Sequence, residues 1–344
     1  MATEKGRTEV KELGEFGLIE KLTQPFTIHN ETTIKGVGDD SAVIDTGNDF
    51  MVISTDFLVE NIHFDLTYAP LKHVGYKAVV VNLSDIYAMN AVPHQITVSI
   101  AFSNRFSVEG LSELYDGIRA ACDDYKVDLV GGDTTSSLLG LYISVTAVGR
   151  VPKSKVAYRN TARVNDAICV TGDLGSAYLG LQILEREKQV FLANPDMQPT
   201  FDQQTELVRK TLLPKARKDI IEKLAKLDVT PTAMMDISDG LSSEIMHITS
   251  QSNVGARVYE EQIPITEQTY NQAVEFQIDP LNCALSGGDE YELVFTVDQS
   301  DLEDVIAIPD VHHIGNIVSV SSGKKIITKG GNEHELKALG WRHF

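Results

Sequence analysis

Seven aspartates stand close to glycine, serine or threonine at the ends of apolar segments rather than in random acidic runs. They are Asp39, Asp40, Asp56, Asp85, Asp133, Asp236 and Asp239. Mg²⁺ binds oxygen ligands and keeps waters and substrate phosphates in its coordination shell, so single carboxylates that converge in space suit it better than one contiguous loop. The pattern predicts a divalent-metal site for phosphate chemistry.

Two segments near the N-terminus carry three of these carboxylates. In Gly36-Val37-Gly38-Asp39-Asp40, neighbouring side chains on an extended strand point to opposite faces, so we expect only one of the two carboxylates to enter a site. An ordinary turn is the alternative. Ser54-Thr55-Asp56 ends a predicted strand, where hydroxyls, a backbone carbonyl and a carboxylate are typical of a hard-cation site. A helix cap is the alternative there.

Asp85 lies inside an apolar helical pattern. The spacing from Leu71 to Met89 predicts a helix that carries Asp85 on the same face as Val81. A carboxylate on the inner face of a helix needs a partner. Because Asn82 and Ser84 also interrupt this face, a buried polar network is the alternative to a metal ligand.

Two further segments combine carboxylates with phosphate-binding features. Asp133 follows two glycines that allow close backbone approach to a phosphate, although a Gly-Gly-Asp turn alone is common. Asp236-Ile237-Ser238-Asp239 places two carboxylates where a strand meets a helix N-terminus, which favours a phosphate and metal site. Capping of the helix by Ser238 is the alternative.

The familiar catalytic and nucleotide motifs are absent from the sequence. There is no GxxxxGK[ST] loop and no HExxH, and Thr171-Gly172-Asp173-Leu174-Gly175 carries only part of a dinucleotide fingerprint. His63 and Arg159 remain as candidates for substrate and phosphate contacts. A packing role for the histidine and a solvated surface position for the arginine are the alternatives.

Composition limits the class of protein. With 344 residues, 42% hydrophobic and 23% charged, the chain is long enough for two globular domains. A net charge of −19 argues against nucleic acid or an anionic membrane as partner, and it suits an anionic substrate only if metal ions accompany it. Three scattered cysteines without CxxC spacing, a polar N-terminus and no membrane-length apolar run predict a cytoplasmic protein.

The pattern of strands and helices predicts two α/β units that position these residues. Residues 1–150 contain predicted strands at 42–45, 50–54, 95–102, 127–130 and 141–148, with helices at 71–89 and 108–125. A polar stretch near 151–165 predicts a connection between domains. Residues 151–344 contain predicted strands at 167–170, 233–237, 256–259 and 291–297 with helices between them. The fold class is therefore α/β, of the α+β type, with two mixed-sheet domains.

Taken in order, these segments resemble the thiamine-monophosphate kinases, a family of the ATP-binding superfamily that also contains aminoimidazole ribonucleotide synthetase and selenophosphate synthetase. The resemblance spans nearly the whole chain, and the motifs that carry it are Gly36 to Asp40, Ser54 to Asp56 with His63, Asn82 to Asp85, Gly131 to Thr135, Thr171 to Gly175, Asp236 to Leu241, Ser286 to Leu293 and Gly340 to Phe344. It implies Mg²⁺-dependent transfer of the ATP γ-phosphate to thiamine monophosphate, the last step to thiamine diphosphate. It also implies a homodimer that associates through the N-terminal sheets.

The resemblance implies roles for individual residues. The residues implied at several Mg²⁺ ions are Asp40, Ser54, Thr55, Asp56, Asp85, Asp133, Asp236 and Asp239. Those implied at ATP are Asp40, Tyr115, Gly132, Asp133, Arg159 and Ser238, and those at the thiamine moiety are His63, Asp289 and Trp341. Where the family has Gly-Gly-Glu-Asp-Tyr-Glu-Leu, this chain has Gly287-Gly288-Asp289-Glu290-Tyr291-Glu292-Leu293. The shorter and the longer acid are therefore exchanged, which keeps the charge but changes how far each side chain reaches.

The chemistry of the residues agrees with this resemblance. A phosphate acceptor is already anionic at neutral pH, so transfer to it needs charge neutralisation and in-line positioning rather than a strong base. Two alternatives remain, namely another synthetase of the superfamily and a non-catalytic metal-binding protein. The sequence has no N-terminal Cys and Lys dyad, which argues against a selenophosphate synthetase.

Overall fold

The first half of the chain forms a six-stranded mixed sheet in this computed structural model, which describes residues 9–196 and 204–337. The strand order is β1-β2-β3-β6-β4-β5, and only β4 and β5 run parallel. The strands are β1 (Thr33–Lys35), β2 (Ala42–Asp45), β3 (Asp49–Val59), β4 (Val92–Phe102), β5 (Asp128–Ser136) and β6 (Leu141–Pro152).

Two long helices cover one face of this sheet, and a third precedes it. They are α1 (Val10–Thr23), α2 (Leu71–Ala88) and α3 (Val108–Tyr125). Most of α2 is buried because it packs both on the sheet and against α3. A Cβ atom at Gly75 of α2 would lie 2.0 Å from the Leu114 carbonyl oxygen, and one at Gly117 of α3 would lie 1.8 Å from the Lys72 carbonyl oxygen. The two glycines therefore permit the close approach of the helices.

The second half forms a seven-stranded sheet in the order β13-β12-β9-β11-β7-β10-β8, in which only β12 and β9 run parallel. Its strands are β7 (Ala167–Thr171), β8 (Ala233–Ile237), β9 (Gly255–Tyr259), β10 (Glu292–Val297), β11 (Val311–Val318), β12 (Lys324–Ile327) and β13 (Glu333–Glu335). Its helices are α4 (Ser176–Ala193), α5 (Thr205–Leu212), α6 (Lys218–Lys226), α7 (Leu241–Gln251), α8 (Glu267–Glu275), α9 (Pro280–Ser286) and α10 (Leu302–Ile306). The two mixed sheets with their helices confirm the predicted fold class.

The two halves share one apolar core. The buried cluster around α2 continues into Met234, Leu293 and Phe295 of the second sheet. The other face of that sheet packs against α7 through a separate cluster that includes Ile237 and Leu241. Helix α2 also packs against β8, the edge strand of the second sheet. This packing covers the edge and holds the two halves at a fixed distance from each other.

Several predicted element boundaries are wrong. Strand β3 does not end at Ser54 but continues to Val59, so Asp56 lies inside a strand. Gly131 to Thr135 are not a loop, because β5 runs through them in parallel register with β4. A Cβ atom at Gly132 would lie 1.8 Å from the Val98 carbonyl oxygen, so this pairing itself explains the glycine. In the described parts of the chain, no helix has the length and apolarity needed to cross a membrane.

Candidate active site

A cavity of about 1080 Å³ lies between the two halves. Its walls come from β3, α2, the segment after β3, the loop after β8 and the loop that precedes β10. Pockets for a single ligand usually occupy ~300–1000 Å³. The volume therefore lies just above the usual range for one ligand.

Three carboxylates from distant parts of the chain meet at one end of this cavity. Oxygen atoms of Asp40, Asp85 and Asp236 all lie within 4.8 Å of one another. Asp40 precedes β2, Asp85 lies on the inner face of α2 and Asp236 lies on β8. We call these three residues the carboxylate cluster. Of the seven aspartates singled out in the sequence, the structure brings these three together.

Hydroxyl and amide groups fix the orientation of these carboxylates. The Ser54 hydroxyl donates to Asp85, and the Ser84 hydroxyl donates to Asp236 Oδ2 at 2.6 Å. The Asn82 side-chain oxygen accepts the backbone N–H of Asp56 at 2.8 Å. The buried polar network that was considered as an alternative to a metal ligand at Asp85 is therefore present. It orients the carboxylates, so it is compatible with a metal site.

Burial and mutual repulsion make Asp85, Asp236 and the nearby Asp56 hard to ionise without a cation. Burial, followed by the charges of Asp56, Asp236 and Asp40, raises the pKa of Asp85 well above its ordinary value. Burial and the charge of Asp40 raise the pKa of Asp236 to about 8. Burial raises the pKa of Asp56 to about 6. A divalent cation would remove this repulsion, and carboxylate oxygens are ligands that Mg²⁺ prefers. The donor set therefore fits Mg²⁺.

Arg159 closes this end of the cavity. Its guanidinium bonds Asp40 through Nε at 3.2 Å and through Nη2 at 2.5 Å, and its backbone N–H donates to Asp39 Oδ1 at 3.2 Å. Asp39 and Asp40 lie in bends rather than on an extended strand. The argument that neighbouring side chains on a strand point to opposite faces therefore does not apply to them. Both carboxylates contact Arg159, although only Asp40 lines the cavity. Arg159 is not a solvated surface residue.

The loop after β8 is shaped by a glutamate that the sequence analysis missed. Glu244 is buried in the first turn of α7, and its Oε1 accepts the backbone N–H groups of Ser238 at 3.2 Å and Asp239 at 2.9 Å. The N-cap of α7 is Gly240 and has no side-chain cap, so capping does not explain Ser238. An acid one turn into a helix that follows Ser-Asp-Gly was the available signal.

The same cavity is also lined by His63, Asp289 and a buried lysine, Lys77. The imidazole Nδ1 of His63 accepts the backbone N–H of Val59 at 2.9 Å. Lys77 Nζ donates to Asp289 Oδ2 at 2.7 Å, and the Tyr291 hydroxyl donates to Asp289 Oδ1 at 2.8 Å. Burial opposes ionisation of Asp289, but Lys77 and Tyr291 hold its pKa below the ordinary value.

The structure separates the two exchanged acids of this loop. Asp289 lines the cavity, whereas Glu290 turns away and accepts the backbone N–H groups of Gly175 at 2.7 Å and Ala177 at 3.1 Å. Glu290 therefore binds the N-terminus of α4, where a negative charge is favourable. The longer acid reaches the helix and the shorter one faces the cavity.

Some of the predicted site residues lie elsewhere in the protomer. Tyr115 lies on α3, packed against the core, and Gly132 and Asp133 lie on the exposed edge strand β5. None of these three lines the cavity. The Thr55 hydroxyl donates to the Val145 carbonyl oxygen at 3.1 Å and accepts from the Thr146 hydroxyl at 3.1 Å. Trp341 lies outside the described residues.

Comparison with known proteins gives matches over nearly the whole chain. The family model for the N-terminal domain of AIR synthase related proteins matches residues 38–151, and the model for the C-terminal domain matches residues 163–326. The chain is 30% identical to the thiamine-monophosphate kinase of Bacillus subtilis, covering 96% of this chain and all of that protein. It is 31% identical to the one from Aquifex aeolicus, covering 97% and 99%. A solved structure of AaThiL complexed with AMPPCP and TMP superposes with a TM-score of 0.84 at 29% identity, covering 98% and 99%.

Proposed function

This chain belongs to the AIR synthase related family as one of its thiamine-monophosphate kinases, and we propose that it phosphorylates thiamine monophosphate with ATP. The γ-phosphoryl group leaves ADP, and an oxygen of the acceptor phosphate forms the new bond, giving thiamine diphosphate. The observation that carries this proposal is the cavity itself. It is lined both by the carboxylate cluster and by a lysine, a histidine and an aspartate, namely Lys77, His63 and Asp289.

We propose that Mg²⁺ ions bind at the carboxylate cluster together with Asp56 and Asp239. Ser54 and Thr55 also line this cavity. The ions would supply the positive charge that transfer between two anionic phosphates needs. Ser54 and Ser84 keep the carboxylates oriented, so little reorganisation is needed when the substrates bind.

The remaining residues divide between the two substrates. We propose that Arg159 and Ser238 contact ATP beside Asp40, and that His63 and Asp289 contact the thiamine moiety, with Trp341 as a third contact. Because His63 Nδ1 accepts a backbone N–H, a proton on this ring resides on Nε2 and can be donated to a substrate. We also propose that ATP is contacted by Tyr115, Gly132 and Asp133, which do not line the cavity of their own chain.

A homodimer would resolve the separation of Asp133 from the cavity. Four neighbouring strands carry one row of paired residues, which are Asp133, Ser99, Ser144 and Phe57. Neighbouring strands are ~4.8 Å apart, so Asp133 lies ~14 Å from Phe57 across the sheet. The sheet face opposite α2 exposes apolar side chains, including Phe57 stacked on Tyr142. A second copy packed on this face, with a twofold axis along the strands, would bring its β5 towards β1, β2 and β3. We propose this arrangement for the dimer.

Mixing two inactive variants tests this arrangement. We expect Asp85→Asn and Asp133→Asn to be inactive separately, and subunit exchange to restore about a quarter of wild-type activity. The reason is that half of the dimers would then be mixed, and each mixed dimer would hold one intact site. Mixing Asp85→Asn with Asp236→Asn is the control, since both residues belong to one protomer's cluster. Equal recovery in the two mixtures, or none in the first, would contradict a shared site.

The acceptor phosphate provides the direct test of function. With ATP and Mg²⁺, we expect thiamine monophosphate to be phosphorylated and free thiamine not to be, because a hydroxyl lacks the negative charge that metal ions hold and must lose a proton before it can attack. A coupled assay of ADP formation, with thiamine diphosphate identified chromatographically, makes the measurement. Comparable turnover of thiamine would exclude direct phosphate-to-phosphate transfer.

The sequence and structure support two further assignments. We propose that residues 1–150 and 151–344 act as two domains, since the first sheet ends at Pro152 and the next strand begins at Ala167. We also propose a cytoplasmic location, which the three free cysteines Cys122, Cys169 and Cys283 support.

A further inference from the structure

We infer that the ammonium group of Lys77 binds the phosphate of the acceptor substrate. This inference rests on the proposed function and adds a residue to it. Lys77 lines the cavity from the inner face of α2, and its side chain is only 8% exposed. A buried ammonium needs a counter-charge, and Asp289 provides it at 2.7 Å.

The position of Lys77 on α2 places it beside the reacting groups. Lys77, Val81 and Asp85 all line the cavity, and they follow one another at intervals of four residues along the helix. Eight residues of helix place the Cα atoms of Lys77 and Asp85 ~12 Å apart. The ammonium and the carboxylate cluster therefore face one cavity from a single rigid element, with the acceptor phosphate between them.

The other two cationic side chains of the cavity in the described part of the chain, Arg159 and Lys188, are also paired with carboxylates. Arg159 is held by Asp40 with near-complete burial of both side chains. Lys188 pairs with Asp65 at 2.6 Å and lies near Glu185. The Lys77 pair is more open than the Arg159 pair, because the Asp289 side chain is 41% exposed and the Asp40 side chain is 1% exposed. A phosphate can therefore reach the Lys77 and Asp289 pair from the cavity.

The loop that carries Asp289 is held in an unusual conformation. Asp289 and Tyr291 both have positive φ, 63° and 53°. Left-handed non-glycine residues are maintained only where the surrounding structure fixes them, and they concentrate at ligand sites. The Tyr291 hydroxyl bonds Asp289 at 2.8 Å, so the carboxylate keeps a partner when Lys77 turns to the phosphate.

Binding of two ligands that differ by one phosphate tests the inference. The test is calorimetric titration of the full-length protein with thiamine monophosphate and with thiamine. Lys77→Met should lower the affinity for thiamine monophosphate about tenfold or more and leave the affinity for thiamine unchanged. Lys77→Arg should retain most of the affinity, because the charge is kept. Lys188→Met, which removes a cation from the same cavity, is the matched control and should change the affinity ratio of the two ligands little.

The possible results are distinguishable. If Lys77 only anchors the loop, Lys77→Met weakens both ligands equally, and the inference is overturned. Unchanged affinity for thiamine monophosphate overturns it as well. If wild-type protein does not bind thiamine monophosphate, the proposed function fails and the inference fails with it. Should Lys77→Met not fold, Lys77→Gln carries the same comparison, since it keeps a hydrogen-bond donor for Asp289.

Discussion

Replacing Asp85 by asparagine is expected to lower turnover by about 10²–10³-fold while the fold is retained, the range observed when one electrostatic contact to a transition state is lost. Asparagine has nearly the same shape and still offers an oxygen to the Ser54 hydroxyl. It removes one of the three charges of the carboxylate cluster. The loss should grow as Mg²⁺ is lowered, because the remaining ligands would bind the ion more weakly.

Thermal unfolding gives a second measurement that does not depend on activity. A ligand that binds only the folded state raises its stability, so Mg²⁺ should raise the Tm of the wild type more than that of Asp85→Asn. Asp116→Asn is the matched control, because Asp116 is an exposed carboxylate paired with Arg119 on α3. Near-normal turnover together with an unchanged Mg²⁺ effect would remove Asp85 from the mechanism.

Replacing Arg159 by methionine is expected to lower the free energy of unfolding by about 3–5 kcal/mol, the range for breaking a buried ion pair by removing one partner. The side chains of Arg159 and Asp40 are 13% and 1% exposed. Burial and the charge of Asp40 already raise the pKa of Asp39 to about 6, against the effect of the arginine. Without the guanidinium, Asp40 would lose its ion pair, and the neighbouring Asp39 would keep the one with Lys35 at 3.5 Å.

Urea unfolding at neutral pH, with and without Mg²⁺, measures this change. Arg119→Met serves as the control, since Arg119 and Asp116 are 73% and 49% exposed and such pairs contribute ~0–1 kcal/mol. A similar small change for both variants would mean that the buried pair is not a net stabilising element. Added Mg²⁺ should recover part of the lost stability in Arg159→Met, because it offsets the negative charge that the arginine no longer neutralises.

The carboxylate cluster could be predicted because each aspartate interrupts a strong local pattern. Asp85 breaks the apolar face of α2, and Asp236 interrupts the short apolar strand β8, so each is conspicuous in the sequence. The fold class followed from the same alternation of strands and helices. Asp40, Asp85 and Asp236 meet as expected.

Other features depend on partners that are far away in the sequence. The glycines of β5 suggested a loop, yet pairing with β4 extends the strand through them. Lys77 has no local signal beyond one charged residue in an apolar helix, and its role appears only when Asp289 lies beside it. The preference of Glu290 for the α4 N-terminus likewise depends on residues more than a hundred positions away. Tertiary contacts therefore decide what local patterns leave open.

The division of the carboxylate cluster between two halves has a consequence for synthesis of the chain. Ser84 and its partner Asp236 are 152 residues apart. At ~5–20 residues per second, the ribosome needs roughly 8–30 s to pass from one to the other. During that interval the emerging first half carries an incomplete set of ligands. The complete set of ligands for the proposed Mg²⁺ ion therefore forms late, when β8 packs against α2, and we expect a nascent chain that lacks β8 to bind this ion more weakly than the finished protein.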